Sequence, residues 1–344
     1  MLPGEAPSSV RRSDEQAAIG WNDLINNQVS GASAPTGGYV QLEGVYSVLP
    51  TPFTATGEVD DDSLRRVVDL FIGAGVNGVT VLGVTGEVAR LDDRERQHVL
   101  GVVTSHVNGR IGVVAGTTAE GTRTCIGYSR NAKAAGATAV MVSPPRMPKL
   151  NSEAVVRHYH ALAEAVDIEI VVQDFPPISG YAMEPWLLAR VAREIPRART
   201  IKLEDPPTPF KTSRILEQAD GLEVRIFGGL GGVFLLEELM AGATGAMTGF
   251  AYPELLVQIV KLYRAGKVDE AAAVFYRSVP LMRFEFQEGI GMAIRKEVLH
   301  RRGALSASAT RPPAAGLDAT TRAALDRVLA WTEAQAAGAA AGRA

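Results

Sequence analysis

Cysteine is nearly absent from this sequence of 344 residues, which contains only Cys125. A single cysteine cannot form a disulfide within the chain, and it cannot supply the several thiolates of a cysteine-rich metal site. Such low cysteine usage is typical of proteins in a reducing compartment. We therefore expect a cytoplasmic protein whose fold is held together without disulfides.

Long apolar runs and an excess of positive charge are missing too. No run reaches the roughly 18 apolar residues of a membrane-spanning helix, and the first 43 residues lack the apolar centre of a secretory signal. The formal net charge is −3, so the basic surface typical of nucleic-acid-binding proteins is not indicated. We therefore expect a small-molecule partner, with no role for a membrane or for nucleic acid.

Histidine is scarce, and its spacing predicts no metal site. The chain has five histidines, and none has the i, i+4 spacing of a zinc-binding helix. His158 and His160 are two residues apart, so they lie on different faces of a helix. We expect no bound metal.

The two ends of the chain differ from its middle. Residues 1–43 are polar, small and rich in turn-forming residues, which predicts a flexible N-terminal extension. Residues 336–344 are a low-complexity tail of alanine and glycine, which predicts disorder. Residues 267–335 show helical patterns only, and we expect them to form an appendix of about three helices, near 269–282, 291–302 and 317–329.

Between residues 44 and 266, strand-like runs alternate with amphipathic helical segments. Eight short apolar runs predict strands at 45–49, 78–82, 111–115, 139–142, 168–173, 200–203, 224–227 and 245–248. The segments between them carry apolar residues at helical spacing, and Asp61, Asp92 and Ser152 are candidate N-caps.

A weak internal repeat indicates how these units are joined. Residues 73–81, 134–142 and 240–248 share one pattern: a helix end, a glycine, a small residue and then a strand. Eight βα units favour a (β/α)8 TIM barrel with a C-terminal helical appendix. The alternative is a doubly wound open sheet, which usually carries G-x-G-x-x-G after its first strand; no such motif follows here.

In such a barrel, chemistry takes place at the carboxyl ends of the strands. The turn G83-V-T-G-E after the second strand could hold a carboxylate through backbone N–H groups and the Thr85 hydroxyl, or it could be an ordinary turn. Arg146, after the fourth strand, could meet an anionic substrate or face solvent. Gln173 and Asp174, at the end of the fifth strand, could contact substrate or cap loop amides.

Lys202 is the most unusual of these residues, because it interrupts the apolar sixth strand T-I-K-L. One interpretation is a lysine whose amine reaches solvent at the strand end. The other is a desolvated, neutral amine that attacks a carbonyl and forms a Schiff base. The pattern alone leaves both open.

Four motifs taken together resemble the dihydrodipicolinate synthase / N-acetylneuraminate lyase family. They are G44-V-Y-S-V-L-P-T-P-F, G83-V-T-G-E, the P-x-x-S-G turn at 176–180 and T200-I-K-L, and the resemblance spans about residues 44 to 305. It implies a TIM barrel, usually a homotetramer or alternatively a homodimer, with no cofactor. It also implies class I aldolase chemistry on a 2-oxo acid such as pyruvate.

Carried over residue by residue, the resemblance makes Lys202 the Schiff-base lysine. It assigns Gly83, Val84 and Thr85 to the site that holds the substrate carboxylate, and Gly228 and Met247 to the walls of the substrate pocket. Gln173 and Asp174 are expected to polarise or orient the substrate, and Arg146 lies in the loop after the fourth strand.

This sequence also departs from the family pattern. Val84 replaces the first threonine of G-T-T-G-E, Gln173 replaces the proton-shuttling tyrosine, and Arg146 or a neighbouring proline replaces a second tyrosine. Glutamine is a poor acid or base and valine is none. The substitute shuttle is left open between Asp174, Tyr252, a bound water and the substrate carboxylate.

We therefore expect a lyase, an aldolase or a hydro-lyase, that acts on a 2-oxo acid or a pyruvate-derived sugar acid. Ile178 replaces the arginine that binds the second substrate in the synthases, so the lysine-biosynthetic reaction itself is not expected. The alternative is a non-catalytic homologue that kept the barrel and the lysine for ligand binding. A third possibility is a barrel that uses Lys202 electrostatically on a phosphorylated substrate, with G228-G-L-G-G as the phosphate loop.

Overall fold

The computed structural model describes the backbone of residues 41–341 and the side chains of residues 41–335. Nearly all of the expected N-terminal extension therefore lies outside the described residues. The backbone stays helical to Ala341, beyond the boundary at 335 that the composition predicts.

Eight parallel strands close into a barrel in chain order, and the first strand pairs with the last. The strands are β1 Gly44–Val48, β2 Gly78–Val81, β3 Gly112–Gly116, β4 Ala139–Val142, β5 Glu169–Asp174, β6 Thr200–Leu203, β7 Arg225–Gly228 and β8 Gly245–Thr248. The prediction of a TIM barrel is confirmed, and the open doubly wound sheet is excluded.

Helices connect the strands and continue beyond the barrel. They are α1 Asp61–Gly73, α2 Asp93–Val107, α3 Thr122–Ala134, α4 Ser152–Ala165, α5 Pro176–Ser179, α6 Pro185–Glu194, α7 Thr208–Ala219, α8 Leu235–Met240, α9 Pro253–Arg264, α10 Val268–Glu285, α11 Gly291–Arg301 and α12 Ala319–Ala341. The last three form the expected C-terminal appendix. None of the helices within residues 41–341 combines the length and apolar character needed to cross a bilayer.

Side-chain caps define where several helices begin. Asp92 accepts from the Glu95 amide and Glu95 reaches back to the Asp92 amide, which forms a capping box at the start of α2. The caps of α1 and α4 are Asp60 and Asn151. Each lies one residue before the cap expected from the sequence, because the neighbouring polar residue is also a good cap.

Two apolar cores hold the barrel together. The larger one lies between the strands and the surrounding helices. The smaller one fills the barrel interior and consists of Leu42, Tyr46, Val114, Ala139, Met141, Val171, Phe227 and Met247. Tyr46 and Phe227 meet edge to face in this inner core, with ring centroids 5.6 Å apart. The apolar filling closes the interior below the carboxyl ends of the strands, where polar side chains begin.

Candidate active site

Lys202 lies inside the barrel on β6 and is only 5% exposed. Its Nζ lies 3.0 Å from Oε2 of Glu204. Side chains two apart on a strand share a face, so Glu204 also faces the interior, just past the end of β6. The amine is therefore buried, and its carboxylate partner comes from the same strand.

Gln173 links this pair to the neighbouring strands. It stands directly opposite Lys202 in the register of β5 and β6. Its Nε2 donates to Glu204 Oε2 over 2.7 Å, and its Oε1 accepts from Ser143 Oγ over 3.0 Å. Ser143, Gln173, Glu204 and Lys202 thus form one buried chain of polar groups across β4, β5 and β6.

Sequence reasoning missed Glu204 and Ser143, although Glu204 left a signal. Glu204 belongs to K202-L-E, whose spacing of two places both charges on one strand face. Its amide still donates to the Asp174 carbonyl over 2.9 Å, so the strand geometry continues through this residue. Extending the predicted strand by one residue would therefore have placed the Glu204 carboxylate beside the lysine.

Gly229 makes room for the Glu204 side chain. A Cβ at Gly229 would lie 2.3 Å from Glu204 Cγ. Gly228, the glycine predicted to line the pocket, faces the other way: a Cβ there would meet the Glu238 carboxylate, which belongs to helix α8 outside the barrel. Neighbouring residues on a strand point to opposite faces, so Gly228 could line the pocket only with its backbone, and that role stays a prediction.

Asp174 does not lie beside Lys202. Its Oδ2 lies 2.6 Å from Lys211 Nζ on α7, and its Oδ1 accepts from the Met183 amide over 3.3 Å. Burial raises the pKa of Asp174 to about 6, although Lys211 opposes this shift. The carboxylate is thus a buried ion-pair partner outside the barrel, and the geometry does not support its expected contact with the substrate.

The other candidate proton carrier, Tyr252, lies where α9 begins. The Arg302 guanidinium covers its ring at 4.4 Å, and burial raises its pKa. Within residues 41–335, no hydrogen bond or ion pair joins Tyr252 to Lys202. The structure instead places at the amine a carboxylate that was not among the groups considered for the shuttle, that of Glu204.

The G83-V-T-G-E turn forms one wall of the barrel mouth. Gly83 and Val84 line a cavity of about 60 Å³ together with Gln173, Met141 and Ile178. Val84 is 38% exposed, so the residue that replaces the first threonine of the family motif offers the cavity an apolar surface. Thr85 Oγ1 is buried and has no hydrogen-bond partner among the described residues.

Glu87, the last residue of this turn, is anchored by contacts of its carboxylate. Its fully buried carboxylate pairs with Lys296 of α11 and, over 2.8 Å, with Arg90 Nη1. It also accepts from the Arg311 amide over 3.1 Å. Burial lowers the pKa of Lys296 to about 8, while the pairing with Glu87 opposes that shift. The turn of the candidate site is therefore tied to the C-terminal helices.

Arg146 and Met247 are the two remaining candidates. Arg146 is exposed in the loop after β4, near Gly180. Met247 is fully buried in the inner apolar core beside Tyr46, its partner in the register of β1 and β8. Arg146 is therefore accessible from solvent, whereas Met247 is part of the apolar interior of the barrel. Within the described part of the chain, no group of three or more His, Cys, Asp or Glu side chains is placed to hold a metal ion.

Comparison with known proteins agrees with this geometry. The family model described as "Dihydrodipicolinate synthetase family" matches residues 41–331. The chain belongs to this family. It is a lyase of the family, as expected, and the match covers the barrel together with most of the C-terminal helices.

Three proteins that are similar to this chain are named for different reactions. An L-2-keto-3-deoxyarabonate dehydratase of Azospirillum brasilense is 33% identical over 82% of this chain and 92% of its own length. A 4-hydroxy-tetrahydrodipicolinate synthase of Methanopyrus kandleri is 30% identical over 79% and 90%. The solved dihydrodipicolinate synthase of Rhodopseudomonas palustris superposes with a TM-score of 0.80 and 36% identity, over 84% of this chain and 97% of that one. The family thus includes both dehydratases and synthases that resemble this chain.

Proposed function

We propose that this protein dehydrates a 3-deoxy-2-oxo sugar acid through a Schiff base on Lys202. The observation that carries the proposal is the Glu204 carboxylate, 3.0 Å from the Lys202 amine. It supplies an acid–base group in a site where the family's tyrosine is replaced by Gln173. A carboxylate at hydrogen-bond distance from the reacting amine meets the geometric requirement for general acid–base catalysis.

The first step is attachment of the substrate. Glu204 takes a proton from the Lys202 ammonium, and the neutral amine adds to the C2 carbonyl of the 2-oxo acid. Glu204 then returns the proton to the C2 hydroxyl of the resulting carbinolamine, which leaves as water. A protonated Schiff base remains, and its positive nitrogen withdraws electrons from C3.

The second step is elimination. Glu204 accepts a proton from C3, and the electron pair of that bond forms an enamine. The enamine expels the C4 hydroxyl, which leaves as water with the proton that Glu204 returns. Hydrolysis of the remaining unsaturated Schiff base restores Lys202 and consumes the water released in the first step. The net change is the loss of one water.

Gln173 and Ser143 position the acid–base group for both steps. Gln173 Nε2 donates to Glu204 Oε2, the same oxygen that contacts Lys202. Ser143 in turn holds Gln173 through its Oε1. Since the amide side chain of Gln173 does not exchange protons readily, its part in the reaction is to orient the carboxylate.

The rim of the mouth favours a sugar acid over the second substrate of the synthases. Ile178, 36% exposed, stands where the synthases carry a carboxylate-binding arginine and lines the cavity with Val84. The similarity to a keto-deoxy sugar acid dehydratase over 92% of that protein's length supports the same substrate class. We further propose that the protein is cytoplasmic and that it forms a homotetramer or a homodimer. Light scattering would measure the number of subunits.

Borohydride trapping tests the Schiff base directly. We expect that pyruvate and 3-deoxy-2-oxo sugar acids leave a reduced adduct on Lys202, located by mass spectrometry of peptides. Lys202→Ala should abolish the adduct, whereas the exposed control Lys133→Ala should retain it. The absence of any adduct across a panel of 2-oxo acids would refute the proposal.

The rival function is ligand binding without turnover, and the same panel separates it from catalysis. A non-catalytic homologue would be stabilised by 2-oxo acids in a saturable way but would release no dehydrated product. A dehydratase should release the product of water loss from at least one sugar acid, detected by mass spectrometry. The carboxylate beside Lys202 is the observation that favours turnover.

A further inference from the structure

Arg295 reaches from the C-terminal helices into the mouth of the barrel. It belongs to α11, and its side chain is only 4% exposed. A Cβ at Gly249, the residue after β8, would lie 2.3 Å from Arg295 Nη1 and 2.7 Å from its Cζ. Gly249 lies two residues after Met247, which belongs to the inner apolar core, so it faces the same side of the strand. The guanidinium therefore occupies the space that a side chain at Gly249 would fill.

The Thr85 hydroxyl faces the same point. The Cβ position of Gly249 lies 3.1 Å from Thr85 Oγ1. Arg295 Nη1 and Thr85 Oγ1 are both buried, and neither has a hydrogen-bond partner among the described residues. Two buried donors without partners that flank one point are costly, because each has lost its hydrogen bonds to water without replacement. Such a pair calls for an acceptor.

Glu285 does not fill this role. Its Oε2 lies 3.4 Å from Arg295 Nε, on the other side of the guanidinium from the unpaired Nη1, and it also accepts from the Ala251 amide over 3.0 Å. The long ion pair holds the arginine on α11 against α10. It leaves Nη1 free to donate toward the barrel.

We propose that Arg295 and Thr85 together bind the carboxylate of the 2-oxo acid. This inference rests on the Schiff-base function proposed above and adds a specificity-determining residue to it. A guanidinium N–H and a hydroxyl are strong donors to a carboxylate. The C-terminal helices thereby supply the positive charge that selects acids over neutral ketones, at the turn where Val84 has removed one hydroxyl.

The alternative role for Arg295 is purely structural, as the ion-pair partner of Glu285 that joins α10 to α11. The two roles differ in one readout. A structural defect lowers reaction with every carbonyl compound, whereas loss of a carboxylate contact lowers reaction with acids and spares their neutral analogues.

Trapping with pyruvate and with its neutral amide, pyruvamide, measures this difference. We expect the wild-type protein to be trapped more readily by pyruvate. In Arg295→Met the half-saturating pyruvate concentration should rise about 10- to 100-fold, the value of a lost hydrogen bond to a charged group, while that of pyruvamide stays unchanged. An unchanged preference for pyruvate in Arg295→Met would overturn the inference and leave the Schiff base intact. A wild-type protein that forms no adduct with either compound would overturn the proposed function itself.

Two further variants protect the test against a folding defect. Gly249→Ala keeps Arg295 and its partner Glu285 but places a methyl group where the guanidinium lies, so it should weaken trapping by pyruvate alone. Glu285→Gln removes the ion pair but keeps the guanidinium, so the preference for pyruvate should persist. Loss of the preference in Glu285→Gln, with retention in Gly249→Ala, would assign Arg295 to the structural role.

Discussion

Charged groups lie on both the inner and the outer face of the barrel near the carboxyl ends of β5 and β6. The buried lysines on the two faces differ in their carboxylate partners. On the outer face, Lys211 donates to Asp174 and Asp205, each over 2.6 Å. On the inner face, Lys202 has one carboxylate partner, Glu204, at the longer distance of 3.0 Å. Both amines are less than one tenth exposed.

Burial alone therefore does not distinguish the two lysines, whereas their carboxylate partners do. Two carboxylates stabilise the Lys211 ammonium, and attack on a carbonyl would first have to break both contacts. Lys202 has a single partner that can also take its proton, and it adjoins the cavity at the barrel mouth through Gln173. The number and placement of carboxylates therefore distinguish a structural lysine from a candidate nucleophile.

The largest expected effect comes from the inner carboxylate. Glu204→Gln should lower kcat for dehydration about 10²- to 10⁴-fold, because the proton acceptor at Lys202 is lost. Slow trapping by borohydride should persist, since the nucleophile remains. Exposed Glu217→Gln is the matched control, and release of the dehydrated product is measured for both variants by mass spectrometry. A kcat within about twofold of wild type would remove Glu204 from the mechanism.

The outer lysine should affect stability instead. Lys211→Met leaves the buried Asp174 unpaired and should lower the free energy of unfolding by about 3–5 kcal/mol at pH 8. Denaturant titration measures this loss, and it should shrink at pH 5, where Asp174 takes up a proton. Adding Asp174→Asn should recover part of the stability. Loss of borohydride trapping in a folded Lys211→Met protein would contradict the division between the two faces.

Glu238 is a second buried carboxyl on the outer face, and it predicts how the stability of the protein depends on pH. Burial raises its pKa from 4.5 to about 8, against the opposing hydrogen bond from Thr208. The folded protein therefore keeps a proton that the unfolded chain loses, and wild-type stability should fall as the pH rises from 4.5 to about 8. Glu238→Gln removes this loss, by about 1.4 kcal/mol for each unit of pKa difference. Parallel stability curves of variant and wild type would refute it.

The smallest effect should come from the far end of the inner chain. Ser143→Ala removes one hydrogen bond to Gln173. The interaction that positions Gln173 should weaken by about 0.5–1.5 kcal/mol. We expect kcat to fall about 2- to 10-fold with KM unchanged, because Ser143 acts through Gln173 and Glu204. A rise in KM at constant kcat would instead place Ser143 in contact with the substrate.

Much of the barrel could be predicted because its signal is local and repeated. The run predicted at 200–203 coincides with β6, and the predicted run at 139–142 coincides with β4. The short helix α5 was not predicted, since its Pro176-Pro177 start reads as a turn. Local periodicity fixes the type and approximate ends of an element, whereas a single helical turn leaves no period to detect.

The residues of the candidate site were predicted from the family resemblance, because the pattern of the sixth strand alone left the role of Lys202 open. The resemblance assigns Gln173 to the position of the shuttle tyrosine, and the register places Gln173 beside Lys202. Gly229 was not singled out, because a strand end hides which face a position takes. No pattern in the sequence indicates Arg295, since its place beside Gly249 depends on how α11 packs in the folded chain. Side chains that distant elements bring to the site depend on tertiary packing, which local sequence periodicity does not predict.

The buried carboxylate of Glu87 has a consequence for the order in which the protein matures. Its partner residues Lys296 and Arg311 follow it by more than 200 positions, and the Arg311 amide alone is 224 residues away. A nascent chain that has already emerged with all eight strands still lacks the Lys296 ammonium and the Arg311 amide that contact this carboxylate. We therefore expect these two contacts to the turn that carries Thr85 to form only when synthesis has passed residue 311.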